Sequence, residues 1–129
     1  MSLREYFSTA KGTGFLATAN AQGNVNIAVY ARPHFLGEDD HEAAFIMNDR
    51  LSHAYVDSNP HAAYLFMEAS EDYVGKRLIL TKVREETDAA KIRSLRRRNL
   101  PPECEGEDSA KRFLVYFRVD DVRPLIGAG

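Results

Sequence analysis

Apolar positions along the chain follow the two periods of regular structure, about 3.6 for helices and 2 for strands. Leu3, Tyr6, Phe7 and Ala10 fall on one helical face, and Ser2 and Glu5 are spaced as a capping box. Gly12 and Gly14 are expected to end that helix. Phe15 to Ala19 is a short apolar run, and Asn20 to Asn24 supply turn chemistry around Gly23. Val25 to Leu36 then reads as one long strand, bent at Pro33, which lacks an N–H for the ladder. Gly37 to Glu42 is an acidic turn, and Ala43 to Asn48 is a third strand. Between Asn48 and Asn59, Leu51, Ala54 and Tyr55 recur at helical spacing, and Asn59-Pro60 stops the segment.

The second half continues in the same way. Ala62 to Glu68 sets Ala63, Leu65 and Met67 against Tyr64 and Phe66, so both faces are apolar and a central strand is predicted. Ala69 to Gly75 is a loop, and Lys76 to Glu85, rich in β-branched residues, is a strand. Thr87 to Asn99 reads as a helix with Thr87 as N-cap and Ala89, Ile92 and Leu95 as its stripe. Arg96, Arg97 and Arg98 lie at its negative end, and Pro101-Pro102 stops it. Pro102 to Asp108 is a polar loop, Phe113 to Val119 the last strand, and Asp120 onward a tail. Short links between strands predict antiparallel pairing, and six strands that must hide their edges predict a small barrel. The fold class is therefore α+β, mainly β: a six-stranded, largely antiparallel barrel with short flanking helices. Gly12-Thr13-Gly14 precedes a strand rather than a helix, which is the wrong context for a dinucleotide-binding turn.

Composition narrows the function classes. The 129 residues fit one domain, 1–129, and 44% hydrophobic residues can bury a core without staples. With 17 basic and 19 acidic residues the net charge is -2, which offers no general attraction to nucleic acid or an anionic membrane. No apolar run is long enough to cross a bilayer. The first residues, with Arg4 and Glu5, lack the apolar core of a secretory signal, so a cytoplasmic location is expected. The single cysteine, Cys104, excludes an internal disulfide, and its acidic neighbours disfavour a reactive thiolate. The histidines are His34, His41, His53 and His61, none at close metal-ligand spacing, and no metal site is predicted. His53 and Asp57, four residues apart on one helix, are expected to share a surface hydrogen bond, with a two-ligand metal site as the alternative. Tyr30, Phe35, Tyr64, Phe66, Tyr116 and Phe117 exceed what one small interior needs, which predicts a self-associating face.

Several strings, taken in order, resemble one family. They are Phe15-Leu-Ala-Thr-Ala, the turn with Gly23 and Asn26-Ile-Ala-Val-Tyr; then Phe45 to Phe66 with its Asn-Asp-Arg-Leu-Ser turn and Asn59-Pro60; then Gly75 to Glu85. Together they resemble the pyridoxamine 5'-phosphate oxidase-like superfamily of FMN-binding split barrels, over about Met1 to Val119. The resemblance implies a homodimer with two flavin sites at the subunit interface. It places the flavin ring near Asn26, Ile27, Ala28, Val29 and Tyr30 of the second strand and Ile46 and Met47 of the third. It places the phosphate on the turn Asn48 to Ser52, which includes Leu51, with Arg50 and Ser52 as side-chain donors.

That turn suits a phosphate dianion. A helix start offers unpaired N–H groups and a positive dipole end, and an arginine adds a charge-assisted contact. Arg32 is a second candidate cation. Family members often carry an Arg-Lys pair here, where this chain has Leu51 and Ser52 beside Asp49, so weaker phosphate binding is implied. The leading function is FMN binding with oxidoreductase chemistry on a small-molecule substrate or electron donor. The alternative is a non-enzymatic dimer that carries flavin, haem or deazaflavin, or a stress or regulatory module. The chain is short for pyridoxamine 5'-phosphate oxidase itself and lacks that enzyme's substrate-binding basic residues.

Overall fold

The computed structural model describes residues 2–38, 40–95 and 112–127. The order is α1 (Leu3–Thr9), β1 (Gly12–Ala19), β2 (Val25–Val29), β3 (Glu42–Asn48), α2 (Leu51–Ser58), β4 (His61–Glu68), β5 (Gly75–Glu86), α3 (Ala89–Leu95) and β6 (Arg112–Pro124). The strands form one sheet in the order β2-β1-β4-β5-β6-β3, and every pairing is antiparallel. The sheet curls into a split barrel. Beyond β2, His34 exchanges two backbone hydrogen bonds with Ala44 of β3, at 2.8 and 2.7 Å, and so brings the two sheet ends together. Register shifts in β5 between Ile79 and Leu80 and between Lys82 and Arg84 let the strand bend around the curve.

The interior is aromatic. Phe7, Phe45, Tyr64, Phe66 and Phe117 are fully buried or nearly so, with Leu16, Leu78 and Leu80 between them. Burying one such side chain contributes about 1.5–3 kcal/mol. A second, smaller cluster lies on the other face of β3 and β6, where Ala44, Leu114 and Tyr116 receive Ile92 of α3. α1 plugs one end of the barrel through Phe7, and its first turn is held by Ser2 Oγ, which accepts from Glu5 N at 3.1 Å. The Asp40 carboxylate also accepts from the Leu3 and Arg4 amides, which ties the turn before β3 to α1.

Four boundaries differ from the sequence expectation. α1 ends before the glycines, and Gly12 and Gly14 belong to β1. They are there for close approach: a Cβ on Gly12 would stand 2.1 Å from the Met67 carbonyl oxygen, and one on Gly14 1.8 Å from the Tyr64 hydroxyl. β2 stops at Val29, and the apolar residues that follow, up to Phe35, are irregular chain packed into the core. Asp88, not Thr87, caps α3, with its carboxylate accepting from Lys91 N at 3.1 Å. The expected tail from Asp120 is strand: Asp121 to Pro124 pair with Lys76 to Ile79 of β5. Its polar alternation had hidden it, because Arg118–Asp120 and Arg123–Asp121 ion pairs take the place of an apolar face. The expected arginine run at 96–98, the loop at 102–108 and Cys104 lie outside the described residues.

Gly12→Ala is expected to destabilise the protein by about 1–3 kcal/mol, because the added methyl group meets strand backbone that cannot yield. The urea midpoint of unfolding, at unchanged slope, measures it.

Candidate functional site

α2 organises the candidate site. It follows β3 through the turn Asn48–Arg50, whose residues are all exposed, and Arg50 N donates to the Asn48 carbonyl at 2.8 Å. Arg50 is the N-cap, and its side chain makes no capping hydrogen bond to the helix start. The first-turn N–H groups of α2 therefore face outward beside a solvated guanidinium. Ser52, two residues further in, is buried. Its hydroxyl accepts from the Asn26 carboxamide of β2 at 3.1 Å. Thr18 stands opposite Asn26 in the β1–β2 ladder, and its buried hydroxyl has no hydrogen-bond partner among the described residues. Asn26, Thr18 and Ser52 thus form a polar seam where α2 meets the sheet.

The other residues named from the sequence separate by strand alternation. Tyr30 packs against the core, its ring edge-on to Phe45 at 6.2 Å, and Ala28 lies on the same side of β2. Ile27 and Val29 point to the opposite face. Met47 is fully buried in the main core, whereas Ile46 packs with the cluster under α3. Asn48, Arg50 and Leu51 are exposed at the turn. The fold therefore brings together Asn26, Asn48, Arg50, Leu51 and Ser52, and sets Ile46 and Met47 on opposite faces of β3. Arg32 lies elsewhere: its Nη1 donates to the Phe7 carbonyl of α1 at 2.9 Å.

A second polar group, missed as a group in the sequence, sits on the flank of α2. His53 is buried, not at the surface as its i,i+4 spacing to Asp57 suggested. Its ring stacks on Phe113 at 3.6 Å and 9°, and Nε2 lies 3.0 Å from Glu85 Oε1. Lys82 of β5 bridges Asp57 Oδ1 at 2.7 Å and Glu85 Oε1 at 2.6 Å. The partners come from β5, and only the bent course of that strand delivers them to α2. Hydrogen bonding by Lys82 holds the Asp57 carboxyl below its ordinary value. Burial alone would raise Glu85, but hydrogen bonds from Lys82 and His53 hold it down. Burial acts against the Lys82 ammonium, and its two carboxylate partners more than offset this and raise it.

One outer face of the sheet has no cover within the described chain. Val25, Ile27 and Val29 of β2 are 81%, 67% and 56% exposed. In the ladder they stand beside Ala19, Ala17 and Phe15 of β1, and Phe15 stands beside Leu65 of β4. The large residues that the sequence reading assigned to self-association do not make this face. Phe35, Tyr64, Phe66, Tyr116 and Phe117 are consumed by the chain's own clusters, and Tyr30 packs against the main one.

The Lys82 network has a definite pH signature. Asp57 and Glu85 are depressed on folding, so they stabilise above their unfolded values and lose that contribution as pH falls through the folded ones. The loss begins near the ordinary values of 4.5 and 3.8 and runs below them. Lys82 is raised, so its share is present below 10.5 and is lost only in stronger base. Lys82→Met is expected to lower stability at neutral pH by about 1 kcal/mol and to flatten the acid limb between about pH 5 and 2. Urea midpoints measured across that range test this.

No family model and no curated protein matches this chain. Solved structures do. An FMN-binding protein from Syntrophomonas wolfei subsp. wolfei superposes with a TM-score of 0.74 at 16% identity, covering 99% of this chain and 86% of that one. An F420 reductase gives 0.68 at 16% identity, over 92% and 94% of the two chains. A heme binding protein from Mycobacterium smegmatis gives 0.65 at 18% identity, over 99% of this chain and 54% of that one, which is about twice as long. A protein from Clostridium acetobutylicum with the same fold belongs to the pyridoxinephosphate oxidase family. At these identities it is the fold that is shared, and the chain is a split barrel with the fold of these proteins.

Proposed function

We propose that this protein, one split-barrel domain per chain, binds FMN and serves as a flavin-dependent oxidoreductase of a small-molecule substrate. The observation that carries the reading is the start of α2: an exposed turn, first-turn N–H groups that the N-cap side chain does not cap, and Arg50 beside them. A phosphate dianion completes such a helix start by accepting from the N–H groups and opposing the dipole. Arg50 adds a charge-assisted bond, and the Asn26–Ser52 contact fixes the turn against β2. Ser52 thus acts through its tie to Asn26, and its remaining hydroxyl proton is available to an acceptor. The backbone of Asn26 to Tyr30 and of Ile46 and Met47 is the proposed ring-side wall, because their side chains alternate between the two faces of the sheet. FMN supplies the electron-transfer chemistry, and the chain supplies binding and orientation. Asp49, exposed in the same turn, opposes an anion and sets a modest affinity. The single cysteine suits a reducing compartment, the cytoplasm.

The same reading includes a homodimer. The bare β2 stripe, continued by Phe15 and Leu65, is an apolar surface that a second copy would cover. No described helix is long and apolar enough to cross a membrane.

Titration of the purified protein with FMN, followed by flavin absorption, is expected to saturate at one FMN per chain. Arg50→Ala should weaken binding about ten- to hundredfold, the loss of one charged hydrogen bond of about 1.5–3 kcal/mol. Absence of binding at high micromolar FMN overturns the flavin reading. Saturable binding of haem or a deazaflavin in parallel titrations would then assign the carrier role. Separately, Ile27→Lys is expected to convert a dimer to a folded monomer in sedimentation velocity, and a wild-type monomer at micromolar concentration overturns the dimer.

A further inference from the structure

The open edge of β2 is a self-complementary interaction surface. We propose that two copies of this chain pair through β2, antiparallel and centred on Ile27, so that their sheets run on as one across a two-fold axis. The inference rests on the homodimer proposed above and specifies how its two copies meet. β2 is an end strand, and no described strand lies beyond it. The other end strand, β3, already takes His34 onto its edge at Ala44.

The register with β1 fixes which backbone groups face outward. Tyr30 N donates to the Gly14 carbonyl at 2.9 Å, and Asn20 N to the Asn24 carbonyl at 3.0 Å. Bonded pairs alternate with unbonded ones along an antiparallel ladder, so Ala28 and Asn26 also bond to β1, opposite Leu16 and Thr18. Val25 and Ile27 therefore turn their N–H and C=O groups to the open side. Their side chains, exposed like that of Val29, stand on the outer face. Asn26 faces inward to Ser52 and leaves the edge clear.

The sequence of the strand suits a two-fold. Val25-Asn-Ile-Ala-Val29 reads nearly the same in both directions. With Ile27 on the axis, it meets Ile27 of the second copy, each Val25 meets a Val29, and each Asn26 meets an Ala28. The central Ile27 pair then exchanges both N–H···O bonds. All the outer-face pairs are β-branched, a type that packs well across strands. Two-fold pairing brings like charges together near the axis of any charged strand, and β2 carries no charge. A two-fold contact uses the same edge on both copies, so it closes at the dimer and leaves neither β2 open.

Disulfide trapping in the full chain tests the pairing and its register, with the single native cysteine removed by Cys104→Ser. Ile27→Cys places two thiols on the axis, where the Cα atoms of a bonded pair stand about 5.5 Å apart, within disulfide reach. Mild oxidation is expected to convert most of this variant to a covalent dimer with an unchanged circular dichroism spectrum. Val25→Cys alone should cross-link at least about tenfold more slowly, because its own copy lies four residues away, about 14 Å along the strand. The double variant Val25→Cys/Val29→Cys should restore rapid cross-linking. Ala17→Cys, opposite Ile27 on β1, reports face-to-face packing instead. Cross-linking through Ala17→Cys and none through Ile27→Cys overturns the proposal and leaves the homodimer standing. Val25→Cys alone cross-linking as fast as Ile27→Cys overturns the register. A wild-type chain that is monomeric in sedimentation velocity at micromolar concentration overturns the pairing and the homodimer together.

Discussion

Closure of this barrel depends on the Tyr64 hydroxyl. Its single proton is shared between the backbone carbonyls of Tyr30 and Ala31, at 3.2 and 3.3 Å, from within the aromatic core. That contact holds the chain as it leaves β2 and aims it toward His34 and the bridge to β3. Three sequence choices answer to it. Gly14 has no Cβ because the Tyr64 phenol occupies that space. Tyr30 N is pinned to the Gly14 carbonyl at 2.9 Å. Phe45 tilts against the Tyr64 ring at 4.9 Å, which locks β3 to β4 across the interior. A buried hydroxyl is costly unless bonded, so the alternative courses of residues 30–31 are disfavoured by the same group that rewards this one.

The candidate helix start and the His53–Glu85–Lys82 group both belong to α2 or pack on it, a helix of only eight residues. Such a helix has little stability of its own. It is held by Val56 in the core, by Asn26 at one end and by the Glu85–Lys82 pair along its flank. The helix start is consequently presented on a rigid seat, although every residue of the turn before it is exposed. Rigid presentation matters for a small anion, because the donors must point at it before it arrives.

Local signals in the sequence were sufficient for much of this. The two-period patterning locates β4 and β5 nearly to the residue and α2 within Asn48 to Asn59, and the turn before α2 is recognisable from its side chains. What failed had non-local causes. Gly12 and Gly14 look like helix terminators, and only the neighbouring strand shows that they are points of contact. Residues 30–36 continue an apolar run, but that run serves the core rather than a ladder. The end of β6 alternates charges that pair along their own strand, and so resembles a tail. His53 looked like a surface partner of Asp57 because its true partner, Glu85, is 32 residues away. Asn26 and Ser52 were both legible as candidates, but their contact across 26 residues was not.

The exposed stripe on β2 bears on the chain's solubility history. β2 is the end strand of the sheet, and its sequence, Val-Asn-Ile-Ala-Val, has no charge and no proline. Lysine, proline or a bulge normally blunts such an edge, and β2 has none of them. Left bare, a short uncharged β-branched strand is a template for further strands and for fibril growth. A second copy covering this strand would therefore also act as its gatekeeper, and dilution or heating that stripped such a cover would favour aggregation before the barrel itself unfolds.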